Sequence, residues 1–294
     1  MIAGEALDAA IELGLRTGFG DDRLRMGGIK LFSDGSLGAR TAWMMAPYRD
    51  GGSGLPIVPM ADIATAIERA HPAGISVGIH AIGDRAIREL LDVFSEVLPK
   101  VVSTPSAHSQ LTSPNSQLTI PHRIEHVQHS TPEDLARLAG LGLVASVQPI
   151  HMVDDMGLVE RAIGERGRWT YAFRTLLDSG AVLALGSDCP VASPNPFWGI
   201  HAAVTRQRRD GSPPEGWYPE QRLTVAEAVA GYTLGPAYVS GQLDRLGSLS
   251  PGKLADLVVL DRDIFAVPPS EICDTQAVMT VFDGEIVYSN GGTS

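Results

Sequence analysis

Cysteine is scarce in this sequence, which has only Cys189 and Cys273 in 294 residues. Two cysteines so far apart cannot form a disulfide framework, and their spacing does not match a zinc ribbon. This scarcity is typical of a protein in a reducing compartment, so the sequence predicts a cytoplasmic location. The N-terminal stretch has no basic segment before its apolar residues and is not expected to be a signal peptide.

Long apolar runs and clusters of basic residues are also missing. No run approaches the about 20 apolar residues of a membrane-spanning helix, so no membrane partner is expected. The net charge of -11, without a Lys/Arg stripe, argues against a nucleic-acid partner, because such a surface repels phosphates. No Gly-rich phosphate loop follows a predicted strand, which argues against a nucleotide-binding domain. A small-molecule substrate is the expected partner.

Five short apolar runs have the composition of β-strands. They lie at 28–33, 75–80, 122–126, 143–148 and 182–186. Helical patterns separate most of them, at 60–73, 84–98 and 131–140, and Pro132 after Thr131 is typical of a first helical turn. Strands that alternate with helices predict an α/β fold with a parallel sheet and crossover helices.

Three further segments have distinct patterns. Residues 1–16 predict an amphipathic helix whose apolar face is formed by Ile2, Ala6, Ala9, Ala10 and Leu13. Residues 34–59 carry Gly and Pro throughout and are too long for a simple connection, which favours a lid or substrate loop. Residues 101–121 are rich in Ser, Thr and Pro and predict a surface excursion.

The C-terminal part changes from alternating elements to strands alone. A helix is predicted near 224–234, where Thr224 and Glu227 can form a capping box. The chain then ends in two alternating runs joined by Asp283-Gly284, a strong hairpin signal. We therefore predict a strand and helix domain over 1–240 and a small β segment over 241–294.

Four side chains of metal-ligand type lie at or near the ends of different predicted strands. Lys30 lies in the first strand, His80 and His126 end the second and third, and Asp188 follows the fifth. A single histidine at the end of a strand is often only a polar end residue without a functional role. Four together favour an active site, because the carboxyl ends of parallel strands form one shared rim in a (β/α) barrel. We expect His80, His126 and Asp188 to converge there.

Several motifs together resemble the amidohydrolase superfamily, specifically the amidohydrolase family 3 or YtcJ-like branch. They are "GGIKLFSDGSLGARTA", "IHAIGDRA", "HRIEHVQH", "ALGSDCPV" and "LGSLSPGKLADLVVLDRD", in this order across nearly the whole chain. The resemblance implies a metal-dependent hydrolase that acts on carbon-nitrogen bonds other than peptide bonds, such as those of amides, N-substituted formamides or cyclic amides. It also implies a TIM-type (β/α) barrel with a small β-sandwich.

By the same resemblance, each strand-end residue has an expected role. His80, His126 and Asp188 are expected to bind a divalent metal, most simply Zn²⁺. Lys30 matches a lysine that some relatives carboxylate, which would turn a cation into an oxygen ligand. A metal lowers the pKa of its water, and Asp188 is expected to be the general base that takes the proton and delivers it to the leaving nitrogen.

Other polar residues near these motifs have weaker expected roles. Asp34, Arg40 and His151 are candidates for binding substrate, Arg40 by pairing with a carboxylate. Glu125 and Gln128 flank His126 and are candidates for hydrogen bonding to a metal ligand; a strand-end carboxylate paired with another residue is an equal alternative. Five other histidines are expected to be solvated or bonded locally: His71, His108, His122, His129 and His201.

One feature of the family is missing, because the sequence contains no His-x-His pair. The resemblance therefore implies barrel strands four to eight, without strands one to three and the first part of a composite β-sandwich. Two functions stay open: an amidohydrolase, or a catalytically impaired scaffold without the His-x-His half of its metal site. An open barrel has unpaired strand edges, so a homo-oligomer is expected.

Overall fold

The computed structural model of the chain describes residues 1–98 and 120–291. Its α-helices are α1 (Leu7–Glu12), α2 (Met60–Ala70), α3 (Asp84–Val97), α4 (Pro132–Gly140), α5 (Pro149–Ala162), α6 (Phe173–Asp178), α7 (Pro196–Thr205) and α8 (Val225–Val239). Its strands are β1 (Ile2–Ala3), β2 (Ile29–Phe32), β3 (Val77–Ala81), β4 (Arg123–His126), β5 (Val144–Val147), β6 (Val182–Leu185), β7 (Leu257–Leu260), β8 (Ala277–Phe282) and β9 (Glu285–Ser289). Nearly all of the predicted excursion at 101–121 lies outside the described residues.

The first six strands form one sheet in the order β1-β2-β3-β4-β5-β6, and the pairs from β1 to β5 are parallel. All five predicted strands are present, which confirms the α/β class. The sequence prediction of five strands was one short, since the two residues of β1 are too few for a periodic pattern. The sheet follows chain order because each strand returns beside its predecessor by a crossover connection.

The N-terminal helix is much shorter than predicted. In this region the α-helix α1 is preceded only by a short 3-10 helix over Gly4–Ala6. Ile2 instead pairs with β2, and its N–H donates to the carbonyl of Gly28 at 2.9 Å. The helix ends before Gly14, which has a φ of 70°. Its buried side chains are Leu7 and Ala10, whereas Leu13 of the predicted apolar face is 75% exposed.

Apolar residues in alternate strand positions fill the core of the main sheet. Ile29, Val77, Ile79 and Ile124 are fully buried, and the register pairs Ile29 with Val77 and Ile79 with Ile124. Side chains alternate along a strand, so the residues between them point to the opposite face. Helices α2 and α3 also bury one apolar stripe each. The opposite sheet face therefore carries the polar side chains.

The chain divides into two compact units. The first comprises Met1–Val147, Asp155–Ala184 and Val239–Gly241, and the second comprises Gln148–Asp154, Leu185–Tyr238 and Gln242–Ser294. The first contains most of the six-stranded sheet, and the second contains the β7-β8-β9 sheet. The domain boundary at residue 240 stays a prediction.

The C-terminal sheet confirms the predicted hairpin. Strands β8 and β9 are antiparallel, and Asp283 and Gly284 between them have φ values of 52° and 80°, as a tight hairpin turn requires. The capping box of α8 is also present, because the Thr224 N–H donates to Glu227 Oε2 at 2.7 Å. Self-association stays a prediction. None of the helices in the described part of the chain is long and apolar enough to cross a membrane.

Candidate metal centre

Several polar side chains of the main sheet lie at or near the carboxyl ends of its strands. Strand pairing places Phe32 of β2 beside His80 of β3, and His80 beside Glu125 of β4. Lys30 lies two residues before Phe32 and so points to the same face. His126 is the last residue of β4. Lys30, His80 and His126 thus lie on three adjacent strands, β2, β3 and β4, of the first unit.

The imidazoles of His80 and His126 are direct neighbours. Their ring centroids are 4.6 Å apart, and the rings meet edge to face at 71°. His80 Nε2 lies 3.0 Å from the carbonyl oxygen of Gly35, which can only accept a hydrogen bond, so Nε2 carries the proton. This tautomer leaves the lone pair on Nδ1. A metal-binding histidine commonly donates its other ring N–H to a backbone carbonyl in this way.

The backbone at His126 is strained. His126 and Val127 have φ values of 76° and 44°, in the left-handed region that non-glycine residues avoid. Such residues cost about 1–3 kcal/mol each and persist only where the surrounding structure holds them. Strain of this kind is concentrated at binding and catalytic sites, which makes His126 a stronger candidate than its place in the sequence alone.

Asp34 is fully buried, and its carboxylate accepts hydrogen bonds from three backbone N–H groups. Oδ1 accepts from Ile82 at 3.0 Å, and Oδ2 accepts from Trp43 and Gly83, both at 2.8 Å. Burial raises the pKa of Asp34 to about 6, although these hydrogen bonds act to lower it. His80 Nε2 lies 3.6 Å from Asp34 Oδ1. Asp34 therefore holds the loop after β2 against the turn that follows β3.

Arg40 is also engaged within this loop. Its Nε donates to both carboxylate oxygens of Asp50, at 3.0 and 3.1 Å, and its Nη1 donates to the carbonyl of Leu37. Among the residues that the structure describes, 33–59 form no helix or strand, as predicted. Substrate contacts by Asp34 and Arg40 stay predictions.

Glu125 lies in a charged cluster beside the histidines. Arg123 Nε donates to Glu125 Oε1 at 2.6 Å. Burial alone would raise the pKa of Glu125, but Arg123, Ser146 and Lys30 together lower it, so the carboxylate stays charged. The Lys30 ammonium also lies 5.0 Å from the centroid of the Phe32 ring. These contacts favour a charged lysine side chain.

In the second unit, His151 and Asp188 offer another pair of ligand groups. A ring nitrogen of His151 and a carboxylate oxygen of Asp188 lie within 4.8 Å of each other. Asp188 follows β6, has a φ of 56° and accepts a hydrogen bond at its carbonyl from the Val191 N–H at 2.8 Å. His151 lies in the first turn of α5. Imidazole and carboxylate are the ligand types that Zn²⁺ binds.

Sequence reasoning missed one group of functional interest, Asp155 and Tyr171. Gln128, two residues after His126, donates through Nε2 to Asp155 Oδ2 at 2.7 Å, and the Tyr171 hydroxyl donates to the same oxygen at 2.5 Å. Asp155 lies on α5, a helix that was not predicted, and Tyr171 lies in no motif. Only the Gln beside a strand-end histidine gave a signal.

Three of the remaining described histidines are buried. His122, His129 and His201 are each at most 4% exposed, so of the two expected environments, solvated or bonded locally, the first does not apply to them. His122 is bonded locally, since its Nδ1 accepts from the Val77 N–H and its Nε2 lies 3.0 Å from His71 Nδ1. Burial lowers the pKa of His122 and of His129 to about 3. His108 lies outside the described residues.

These buried histidines predict that the free energy of unfolding falls as the pH is lowered from about 6.5. The unfolded chain protonates them near pH 6.5, whereas the folded chain does so only near pH 3, so the unfolded state binds more protons between these values. Each contributes a slope of about 1.4 kcal/mol per pH unit. Asp34 opposes them below pH 6, because its folded pKa lies above its ordinary value of 3.8.

His122→Gln should remove one of these slopes. Urea denaturation between about pH 5 and 7 measures it, and comparing slopes separates the titration from contacts that the substitution removes at every pH. Equal slopes in the parent chain and the variant would contradict the prediction.

The fold and its grouped side chains already define a class of protein. A parallel sheet with crossover helices carries histidines at the carboxyl ends of β3 and β4, and α/β barrel enzymes hold their catalytic groups at such ends. The class is that of α/β proteins with metal-ligand side chains at their strand ends.

This chain belongs to the amidohydrolase family, whose sequence model matches residues 1–288. The resemblance predicted from the motifs is therefore confirmed. Among curated proteins, the chain is 38% identical over 244 residues to Protein LONG AFTER FAR-RED 3 of Arabidopsis thaliana, covering 81% of this chain and 39% of that protein. It is 30% identical over 268 residues to the putative amidohydrolase YtcJ of Bacillus subtilis, covering 90% of this chain and 47% of that protein.

Two further similarities concern a deformylase and a solved structure. The chain is 30% identical over 227 residues to the N-substituted formamide deformylase of Arthrobacter pascens, covering 76% of this chain and 39% of that enzyme. An uncharacterized metal-dependent hydrolase from Pyrococcus horikoshii has a TM-score of 0.75 and 34% identity, covering 91% of this chain and 51% of that one. The chain thus spans about half the length of its relatives, or less.

Proposed function

We propose that this chain carries the catalytic groups of a metal-dependent hydrolase acting on carbon-nitrogen bonds other than peptide bonds. The observation that carries the proposal is the His80 and His126 pair, with ring centroids 4.6 Å apart and Nε2 of His80 bonded to a backbone carbonyl. Two neighbouring strand-end imidazoles, one of them held in a fixed tautomer, are suited to binding a metal.

The proposed ligands are His80, His126 and Asp188, with His151 as a further candidate. Two neutral imidazoles and one carboxylate fit Zn²⁺ or a similar divalent ion. Such an ion would polarise the substrate carbonyl and lower the pKa of water. The chain's own contribution is to hold the imidazoles in place and to supply a carboxylate at Asp188 that takes a proton and returns it to the leaving nitrogen.

Lys30 is proposed as an additional ligand after carboxylation. Its neutral amine would add to CO₂ and lose a proton, which gives an anionic oxygen donor on the same sheet face as His80. The charged neighbour Glu125 opposes this change, because it favours the ammonium form. Metal affinity that rises with added bicarbonate would support carboxylation, and affinity independent of bicarbonate would contradict it.

The proposed substrates are amides and N-substituted formamides. The similarity to the Arthrobacter pascens deformylase supports the second class. The alternative is a catalytically impaired scaffold without the His-x-His half of its metal site. Hydrolysis of a substrate panel therefore separates the two functions.

The test is metal removal and reconstitution of the purified chain. N-substituted formamides, N-acyl amides and cyclic amides are offered, and release of the amine or the ring-opened product is followed. We expect hydrolysis that a chelator abolishes and that Zn²⁺ or Co²⁺ restores. His126→Asn, which keeps a polar side chain of similar size, should not be restored. No hydrolysis by the metal-loaded chain of any substrate would favour the impaired scaffold.

A further inference from the structure

A hydrogen-bonded group surrounds the strained turn at His126, and the proposed reaction does not use it. It consists of Gln128, Asp155 and Tyr171, called here the Asp155 group. Gln128 Nε2 and the Tyr171 hydroxyl both donate to Asp155 Oδ2, at 2.7 and 2.5 Å. One carboxylate oxygen therefore joins a residue two positions after His126 to a residue far along the chain.

Backbone hydrogen bonds tie the same turn. The Tyr171 N–H donates to the Gln128 carbonyl at 2.8 Å, so Gln128 is held at its side chain and at its main chain. The next residue is held as well, since the His129 N–H donates to the Ile82 carbonyl at 2.9 Å and His129 Nδ1 lies 2.8 Å from Thr170 Oγ1. The residues that follow His126 are thus fixed from two sides.

The burial of the Asp155 group indicates that these bonds matter. Gln128 is 4% exposed and Tyr171 is 1% exposed. Buried amide and hydroxyl groups cost free energy unless they are hydrogen-bonded, and here both use Asp155 as acceptor. Val127, a β-branched residue with a φ of 44°, also needs its surroundings to hold it.

We infer that Asp155 is a positioning residue for His126. Through Gln128 and Tyr171 it keeps the His126 to Gln128 turn in its left-handed conformation, which presets the direction of the His126 imidazole. The inference rests on the proposed metal function for its consequence, tighter binding of a divalent ion. Its structural part, the ordering of the turn, holds in the metal-free chain.

Two measurements on the full chain test Asp155. Hydrogen exchange of the metal-free protein reports the order of residues 126–129, and the visible absorption of added Co²⁺, with a competing chelator, reports affinity. Asp155→Ala removes the acceptor, Asp155→Asn keeps an oxygen at that place, and Tyr171→Phe removes one donor. Asp154→Ala is the matched control, since Asp154 is the preceding, exposed residue of the same helix.

We expect Asp155→Ala to speed exchange at 126–129 and to weaken Co²⁺ binding about 10–100-fold, the usual effect of losing support behind a ligand. Tyr171→Phe should change exchange and Co²⁺ binding in the same direction. Asp155→Asn should keep most of the slow exchange and most of the Co²⁺ affinity of the parent chain. If Asp155 acted on stability alone, Asp155→Ala would lower the melting temperature of the metal-free chain, and Asp155→Asn would not restore Co²⁺ affinity.

The outcomes separate the inference from the proposed function. A parent chain that binds no Co²⁺ would overturn the metal function, and the exchange data would still decide whether Asp155 orders the turn. A parent chain that binds Co²⁺ as tightly as Asp155→Ala and Tyr171→Phe would overturn the positioning role alone. Equal exchange in Asp155→Ala and Asp154→Ala would overturn it as well.

Discussion

Asp188→Asn is expected to lower kcat/KM for a hydrolysed amide or formamide by about 10²–10⁴-fold. The carboxamide has nearly the shape of the carboxylate but cannot take the proton that the proposed mechanism assigns to Asp188. The measurement is steady-state kinetics, with metal content determined for each preparation.

The control for this substitution is Asp244→Asn. Asp244 is an exposed aspartate of the same unit, so this variant makes the same change in net charge. Its kinetics should match those of the parent chain. If Asp188→Asn retains its metal and loses less than about tenfold in kcat/KM, Asp188 is not the general base. Because Asp188 is also a proposed ligand, both variants are compared at a metal concentration that saturates them.

Asp34→Ala is expected to lower the free energy of unfolding by about 3 kcal/mol near neutral pH. The substitution leaves three backbone N–H groups, two buried and one partly buried, without their acceptor, at about 2 kcal/mol each. It also removes a buried carboxylate whose pKa is raised from 3.8 to about 6. Removing this unfavourable buried charge stabilises the folded state by about 3 kcal/mol. The unpaired donors outweigh the relieved charge. Urea or guanidinium denaturation measures the difference.

The matched control lies on the same loop. Asp50 is exposed and pairs with Arg40, so Asp50→Ala should change the free energy of unfolding by no more than about 1 kcal/mol. An Asp34→Ala variant as stable as the parent chain would show that the loop finds other acceptors for Trp43, Ile82 and Gly83. Asp34 would then not be the residue that holds the loop.

Local sequence patterns predicted the parts of the fold that local physics determines. Four of the five longer strands of the main sheet, β2, β3, β5 and β6, consist mostly of β-branched and apolar residues. The Asp283-Gly284 hairpin rests on two adjacent residues that tolerate a positive φ. His80 and His126 were found because a strand followed by a helix start marks the carboxyl end of the strand. The strain at His126 was not predictable, since nothing in "HRIEHVQH" demands a left-handed backbone.

The features that depend on distant parts of the chain were missed. Asp155 lies 27 residues from Gln128 and 16 from Tyr171, so their shared hydrogen bonds leave no periodic signal. The burial of His122 likewise follows from packing between elements. Strand β1 was missed because its pairing with β2, rather than its own two residues, makes it a strand.

Anomalous diffraction above and below the zinc absorption edge, from crystals of the Zn²⁺-supplemented chain, tests the central claim most directly. We predict a zinc peak about 2.0–2.1 Å from a ring nitrogen of His80 and of His126, with a carboxylate oxygen of Asp188 at about 2.0–2.2 Å. The His80 contact should be through Nδ1, because Nε2 faces the carbonyl of Gly35. Zinc bound elsewhere with both imidazoles uncoordinated, or no zinc peak at saturating Zn²⁺, would contradict the account.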